Sequence, residues 1–160
     1  MTDNAAPPSR DDEALERFLA GNADDRMRRY QELLRIPSIS ALPEHAGDCR
    51  ATADWIVGEL RRLGIDDAEA SETGGHPIVT GSYRRDGHRP TALVYCHYDV
   101  QPVDPLDLWT SPPFEPAVHD GRVVARGAAD DKGQIHIHLA ALEALLATRS
   151  ELPVNLRFVF

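Results

Sequence analysis

Two apolar runs, residues 91–96 and 154–160, flank a helical stripe over about residues 132–147, and this order constrains the fold more than any other feature of the chain. Ile135, Leu139, Leu142, Leu145 and Leu146 recur in that stripe at helical spacing. Strand, crossover helix and strand in succession predict parallel neighbours in an α/β sheet. Sites in such sheets form beyond the carboxyl ends of strands, and His97 follows directly on the first run. The predicted fold class is therefore α/β: a partial domain with a mixed, mainly parallel sheet flanked by helices. Val154, Leu156, Phe158 and Phe160 would share one face of the last strand, so the chain stops on an apolar aromatic. Termini usually lie in polar or frayed segments, and Phe160 reads as a truncation after a core strand.

The remaining segments supply the flanking elements. Residues 1–10 read as a disordered lead, and residues 11–160 as the amino-terminal part of the domain. Leu15, Phe18, Leu19, Met27, Tyr30, Leu33 and Leu34 set a helical pattern over residues 11–34, with Gly21-Asn22 as a possible break. Ile36-Pro37 ends it, because a residue before proline avoids the helical region. A second helix is expected from a cap at Asp48 to about Leu63, closed by Gly64. Short strands are expected at residues 68–71 and 77–83, then a hairpin-like turn at 84–88 before the strand at 91–96, which reads as buried. Prolines 102, 105, 112, 113 and 116 make residues 101–117 a structured loop. Asp120-Gly121 turns into a short strand at 122–125.

Net charge is −9, which disfavours nucleic acid or an anionic membrane as partner. No apolar stretch approaches the roughly 20 residues of a membrane span, and the first ten residues lack the form of a signal peptide. Cys49 and Cys96 make no disulfide framework and read as free thiols of a cytoplasmic protein.

His97 and Asp99 lie two apart at a strand tip, so their side chains project to one side. This suits an imidazole that binds a metal through one nitrogen while the other donates to a carboxylate that fixes its tautomer. Cys96 points to the opposite face. Asp130 follows the small residues Gly127-Ala128-Ala129 and opens a helix. A carboxylate there can bridge two cations about 3.5–4 Å apart, which would clamp a water and lower its pKa. The simpler role for Asp130 or Asp131 is to cap the helix, and the two roles are compatible. His136 and His138, two apart on a helix, cannot face one metal, and His45, His76, His88 and His119 fall in loops without a matching carboxylate pattern. Trp109 and Phe114 are expected to pack the proline-rich loop, Lys132 to brace it, and the pairs Asp24-Asp25 and Asp66-Asp67 to be solvated.

His97-Tyr98-Asp99-Val100-Gln101-Pro102, Trp109, Pro113-Phe114-Glu115-Pro116, Asp120-Gly121 and Arg126-Gly127-Ala128-Ala129-Asp130-Asp131-Lys132-Gly133 follow one another in an order and spacing that resembles one superfamily. It is that of the di-zinc aminoacylases, succinyl-diaminopimelate desuccinylases, glutamate carboxypeptidases and carnosinase-like dipeptidases. Leu34-Arg35-Ile36-Pro37-Ser38 resembles its amino-terminal part, and Asp-Asp-Lys-Gly resembles the dipeptidase branch. The resemblance implies His97 as ligand to one zinc, Asp130 as the bridge between two, and Asp99 behind His97 as the catalytic residue that tunes it. Co2+ and Mn2+ are the alternatives to Zn2+ in such a site. It also implies a cis peptide at Asp130-Asp131, a small peptide or N-acyl amino acid substrate, and a homodimer for the full-length protein. The Glu general base, the adjacent Glu ligand, a further acidic ligand, a distant His and the lid domain of that superfamily have no counterpart in these residues. Glu143 and Glu151 are no substitutes, and with two ligands zinc affinity should be weak. A phosphate-loop reading of residues 126–133 fails, since neither Gly-x-Gly-x-x-Gly nor Gly-Lys-Ser/Thr is present.

Overall fold

A hydroxyl and a carboxylate start the first helix: Ser9 accepts from the Asp12 amide while Asp12 accepts from the Ser9 amide, a reciprocal capping box. The computed structural model describes residues 9–160, so the expected lead lies outside the described residues except at Ser9 and Arg10, where helix α1 (Arg10–Gly21) begins. The break at Gly21-Asn22 is real. Asn22 separates α1 from α2 (Ala23–Arg35), and its side-chain amide donates to the Phe18 carbonyl at 2.8 Å. The second predicted helix is α3 (Ala46–Arg62), but Asp48 does not cap it: the Asp48 carboxylate pairs with the His45 ring at 2.7 Å from inside the first turn. Gly64 closes that helix at φ +82°, a conformation that only glycine adopts freely.

Strands β1 (Glu69–Ser71), β2 (Ile78–Tyr83), β3 (Thr91–Tyr95) and β6 (Asn155–Val159) form one sheet in the order β1-β2-β6-β3. The β3–β6 pairing is parallel, with helix α4 (Lys132–Thr148) as its crossover. The expected α/β class with a mixed, helix-flanked sheet is borne out. The expectation of mainly parallel pairing is corrected, because β1–β2 and β2–β6 are antiparallel. The connection from β1 to β2 is too short for a crossover, so those strands pair as a hairpin. The turn at residues 84–88 is likewise no hairpin, since β6 lies between β2 and β3.

Helices α3 and α4 bury one sheet face through Ile56, Leu60, Ile135, Leu139 and Leu142 against Val79, Phe158 and Phe160. Strand β3, expected to be buried, is an edge strand, and Leu93 and Tyr95 on the other face are 66% and 72% exposed. The proline-rich loop ends in a hairpin that proline content concealed, β4 (Ala117–His119) with β5 (Arg122–Val124). Its turn places Asp120 and Gly121 at φ 49° and 74°. Trp109 packs that loop as expected, donating to the Val103 carbonyl at 2.8 Å under the guanidinium of Arg126. Asp67 is not merely solvated: it accepts the Ser82 amide at 2.8 Å. Among the described residues, no helix is long and apolar enough to cross a membrane.

Helices α1 and α2 lie against α4. There His136 stacks on Tyr30, ring centroids 4.9 Å apart. Burial, reinforced by Arg29 and Arg26, pushes the His136 imidazole down to about 4. An unfolded histidine titrates near 6.5, so the neutral ring of the fold costs nothing above that pH. As pH falls from about 6.5 towards 4 the unfolded chain gains a proton that the fold refuses, and stability is lost, on the order of 2 kcal/mol after allowance for partial exposure. His136→Phe keeps the stack and removes the titration. Urea unfolding at pH 7 and pH 4.5 should show the variant gaining on the wild type at the lower pH; a constant difference would rule this out.

Candidate metal centre

The site is assembled where β3 ends and α4 begins. His97 lies two residues beyond β3, and Asp130 and Asp131 immediately precede α4. The structure brings together all three residues singled out from the sequence. His97 Nδ1 lies 3.0 Å from Asp99 Oδ1, and His97 Nε2 lies 3.0 Å from Asp130 Oδ1. The Asp99 carbonyl oxygen is also 3.1 Å from Nδ1. Two acceptors converge on Nδ1, which favours the proton there, and in that neutral tautomer Nε2 turns a lone pair towards Asp130. A lone pair and a carboxylate oxygen at 3.0 Å repel each other unless a proton or a metal cation lies between them. The imidazole responds accordingly. Burial opposes its charge, but the carboxylates of Asp130 and Asp99 outweigh burial and raise its pKa above the usual histidine value.

Asp130 is 84% exposed, and its second oxygen has no protein partner among the described residues. Asp131 does not cap α4 with its side chain; its Oδ2 accepts the backbone N–H of His97 at 3.1 Å, so the helix start and the strand end are tied directly. The Asp130-Asp131 peptide is cis, as the resemblance implied. Cys96 is buried, and burial beside the Asp131 carboxylate pushes its thiol up to about 11. It is therefore a neutral core residue. Lys132 is wholly buried, and its ammonium donates to the carbonyls of Leu33 at 3.2 Å and Ile36 at 2.5 Å, so it braces the end of α2 and not the proline-rich loop expected from the sequence. Burial lowers its pKa to about 8.

A cavity of about 400 Å³ opens beside His97 and Asp99, lined also by Ser40, His76, Ile78, Tyr95 and Phe160. Ser40 and His76 were not singled out as site residues from the sequence. His76 donates through Nε2 to the Ser40 carbonyl at 3.0 Å, and the Ser40 hydroxyl donates to Asp99 Oδ2 at 2.5 Å. The one signal for Ser40 was its place two residues after the Leu34–Ser38 motif. Glu143 bridges Arg29 and Arg62, and Glu151 pairs with Arg89, so neither serves the site.

One imidazole nitrogen and one exposed carboxylate are donor types that suit Zn2+. No group of three or more His, Cys, Asp or Glu side chains is placed to hold a metal among the described residues.

Comparison with known proteins finds likenesses that take in the segment carrying this constellation. Residues 93–160, which contain His97, Asp99 and Asp130, match the model of peptidase family M20/M25/M40. A cysteinylglycine-S-conjugate dipeptidase of Corynebacterium striatum is 36% identical over 124 residues, covering 78% of this chain and 27% of that protein. A succinyl-diaminopimelate desuccinylase of Aromatoleum aromaticum is 46% identical over 116 residues, covering 72% of this chain and 28% of its own length. Human carnosine dipeptidase 1 superposes with a TM-score of 0.85 at 26% identity, over 92% of this chain and 33% of that structure. The chain thus spans about three tenths of the length of its M20 relatives. The superfamily resemblance drawn from the motifs is borne out.

Proposed function

We propose that this chain supplies part of the active centre of a zinc-dependent hydrolase that cleaves the amide bond of dipeptides or small N-acyl amino acids. His97 and Asp130 would hold the metal, with Asp130 shared between two ions, and Asp99 orients His97. The observation that carries this reading is the chain of contacts from Asp99 through His97 to Asp130, 3.0 Å at each step, at the carboxyl end of a parallel strand. A zinc pair bound there would supply Lewis-acid polarisation of an amide carbonyl and would acidify a water. The protein's own part is to fix one imidazole tautomer, keep the Nε2 lone pair towards the metal, and leave an apolar cavity beside it for a small substrate. The dipeptidase names among the relatives support the first substrate class, and the desuccinylase favours the second. Cytoplasmic residence belongs to the same reading, supported by the buried free thiols of Cys49 and Cys96.

The polypeptide encoded by the complete reading frame that contains this sequence tests the proposal. Purified and loaded with Zn2+, it should hydrolyse a panel of dipeptides faster than N-succinyl amino acids, and a chelator should abolish the activity. The reverse order would favour the deacylase; hydrolysis of neither would end the reading. The isolated 160-residue chain should show no useful peptidase activity on the same panel, since two ligands bind zinc weakly and the described residues offer no general base beside them. Sustained turnover by the metal-loaded chain, abolished by His97→Ala, would overturn that expectation.

A further inference from the structure

The segment from Ile36 to Ser40 runs alongside the segment that carries His97 and Asp99. Val100 donates its N–H to the Ser38 carbonyl at 2.9 Å, the Ser38 hydroxyl donates to the Tyr98 carbonyl at 2.7 Å, and Ile39 pairs with Val100 in a parallel bridge. Ser38 and Ile39 are fully or nearly fully buried. His76 holds the Ser40 carbonyl from the other side at 3.0 Å. The same segment is tied to the Asp130 side of the site, because the Lys132 ammonium donates to the Ile36 carbonyl at 2.5 Å. Ser40 is thus set on a braced backbone, and its hydroxyl reaches Asp99 Oδ2 at 2.5 Å.

We infer that Ser40 is a positioning residue for the His97 imidazole and acts through Asp99. The inference rests on the reading of His97 as a metal ligand. Asp99 uses Oδ1 for His97 Nδ1 and Oδ2 for Ser40, so both oxygens of one carboxylate are engaged. The terminal torsion of an aspartate is broad and roughly two-fold. A hydrogen bond to one oxygen alone leaves the carboxylate plane free to turn; a second bond from a fixed hydroxyl stops it. The acceptor for Nδ1–H then stays in the plane of the ring, and the Nε2 lone pair keeps its direction.

Ring-nitrogen NMR of the chain, with Zn2+ titrated into the millimolar range, tests this. Residues bonded directly to a ligand change metal affinity by about 10–100-fold, and Ser40 is one bond further out, so Ser40→Ala should weaken Zn2+ binding by about 3–10-fold. Ser40→Thr keeps the hydroxyl and should return affinity to within about twofold of wild type. In the metal-free chain the His97 Nδ1–H resonance should persist in wild type and Ser40→Thr, and be broadened or shifted by exchange with water in Ser40→Ala. That signature reports the hydrogen bond itself, so it decides the matter even where Ser40→Ala also lowers the melting temperature. Unchanged Zn2+ affinity and an unchanged Nδ1–H signal in Ser40→Ala, with binding lost in His97→Ala, would overturn the role of Ser40 and leave His97 standing. Zn2+ binding that survives His97→Ala would overturn the reading of His97, and the role of Ser40 with it.

Discussion

Gly133→Ala is expected to lower the unfolding free energy of this chain by about 3 kcal/mol, the upper end of what a forced methyl costs in a packed interior. A Cβ on residue 133 would stand 2.0 Å from the Ala128 carbonyl oxygen and 3.1 Å from the Tyr30 hydroxyl. Neither neighbour yields cheaply. The Ala128 oxygen is backbone, and it already accepts the Tyr30 hydroxyl at 2.6 Å. Relief therefore requires the start of α4 to move away from the loop at residues 127–131, which loosens Asp130 and the Asp131 contact to His97 together. Gly58 is the control, because a Cβ there meets nothing within 4 Å and the residue is exposed in α3. Gly58→Ala should gain up to about 1 kcal/mol from helix propensity alone. Urea unfolding of both variants followed by circular dichroism checks the pair, and equal stabilities would show that the loop accommodates the methyl.

Gly133 also shows where the sequence was readable and where it was not. The small residues of Gly127-Ala128-Ala129 stood out before Asp130, and the helix that follows was plain from its apolar spacing, but Gly133 was not marked as the point of closest approach. The parallel strand pair joined by α4 was equally plain, and with it the position of His97. Neighbour order in the sheet was not, because alternation of apolar residues sets the face of a strand and says nothing of its partner. Strand β6 therefore came between β2 and β3 unannounced. The start of α3 misled for a related reason: Asp48 has the chemistry of a cap, but the ring of His45, the residue immediately before the helix, competes for its carboxylate. Ser40 was hidden more deeply. Its partner Asp99 lies 59 residues away, and only the packing of two irregular segments against each other makes the contact. Local pattern carries the ligands; tertiary contact carries what holds them still.

In the polypeptide encoded by the complete reading frame, His97→Ala should reduce kcat/KM by more than the 10–100-fold expected for loss of an outer partner such as Asp99. The two variants are expected to fail differently. Alanine at 97 removes a donor atom, so bound metal should fall with activity, and excess Zn2+ should not restore it. Asparagine at 99 keeps an acceptor oxygen for the imidazole N–H but loses the negative charge that makes the ring a better donor to the metal. Asp99→Asn should therefore retain metal at saturating Zn2+ while kcat/KM falls about 10–100-fold. Metal content by elemental analysis, measured beside kinetics on one dipeptide, separates the cases. Equal metal loss in both variants would mean that Asp99 holds the ion itself and not the imidazole. Full activity in His97→Ala would mean that the contact between His97 and Asp130, 3.0 Å apart, is an ordinary ion pair at the end of a strand.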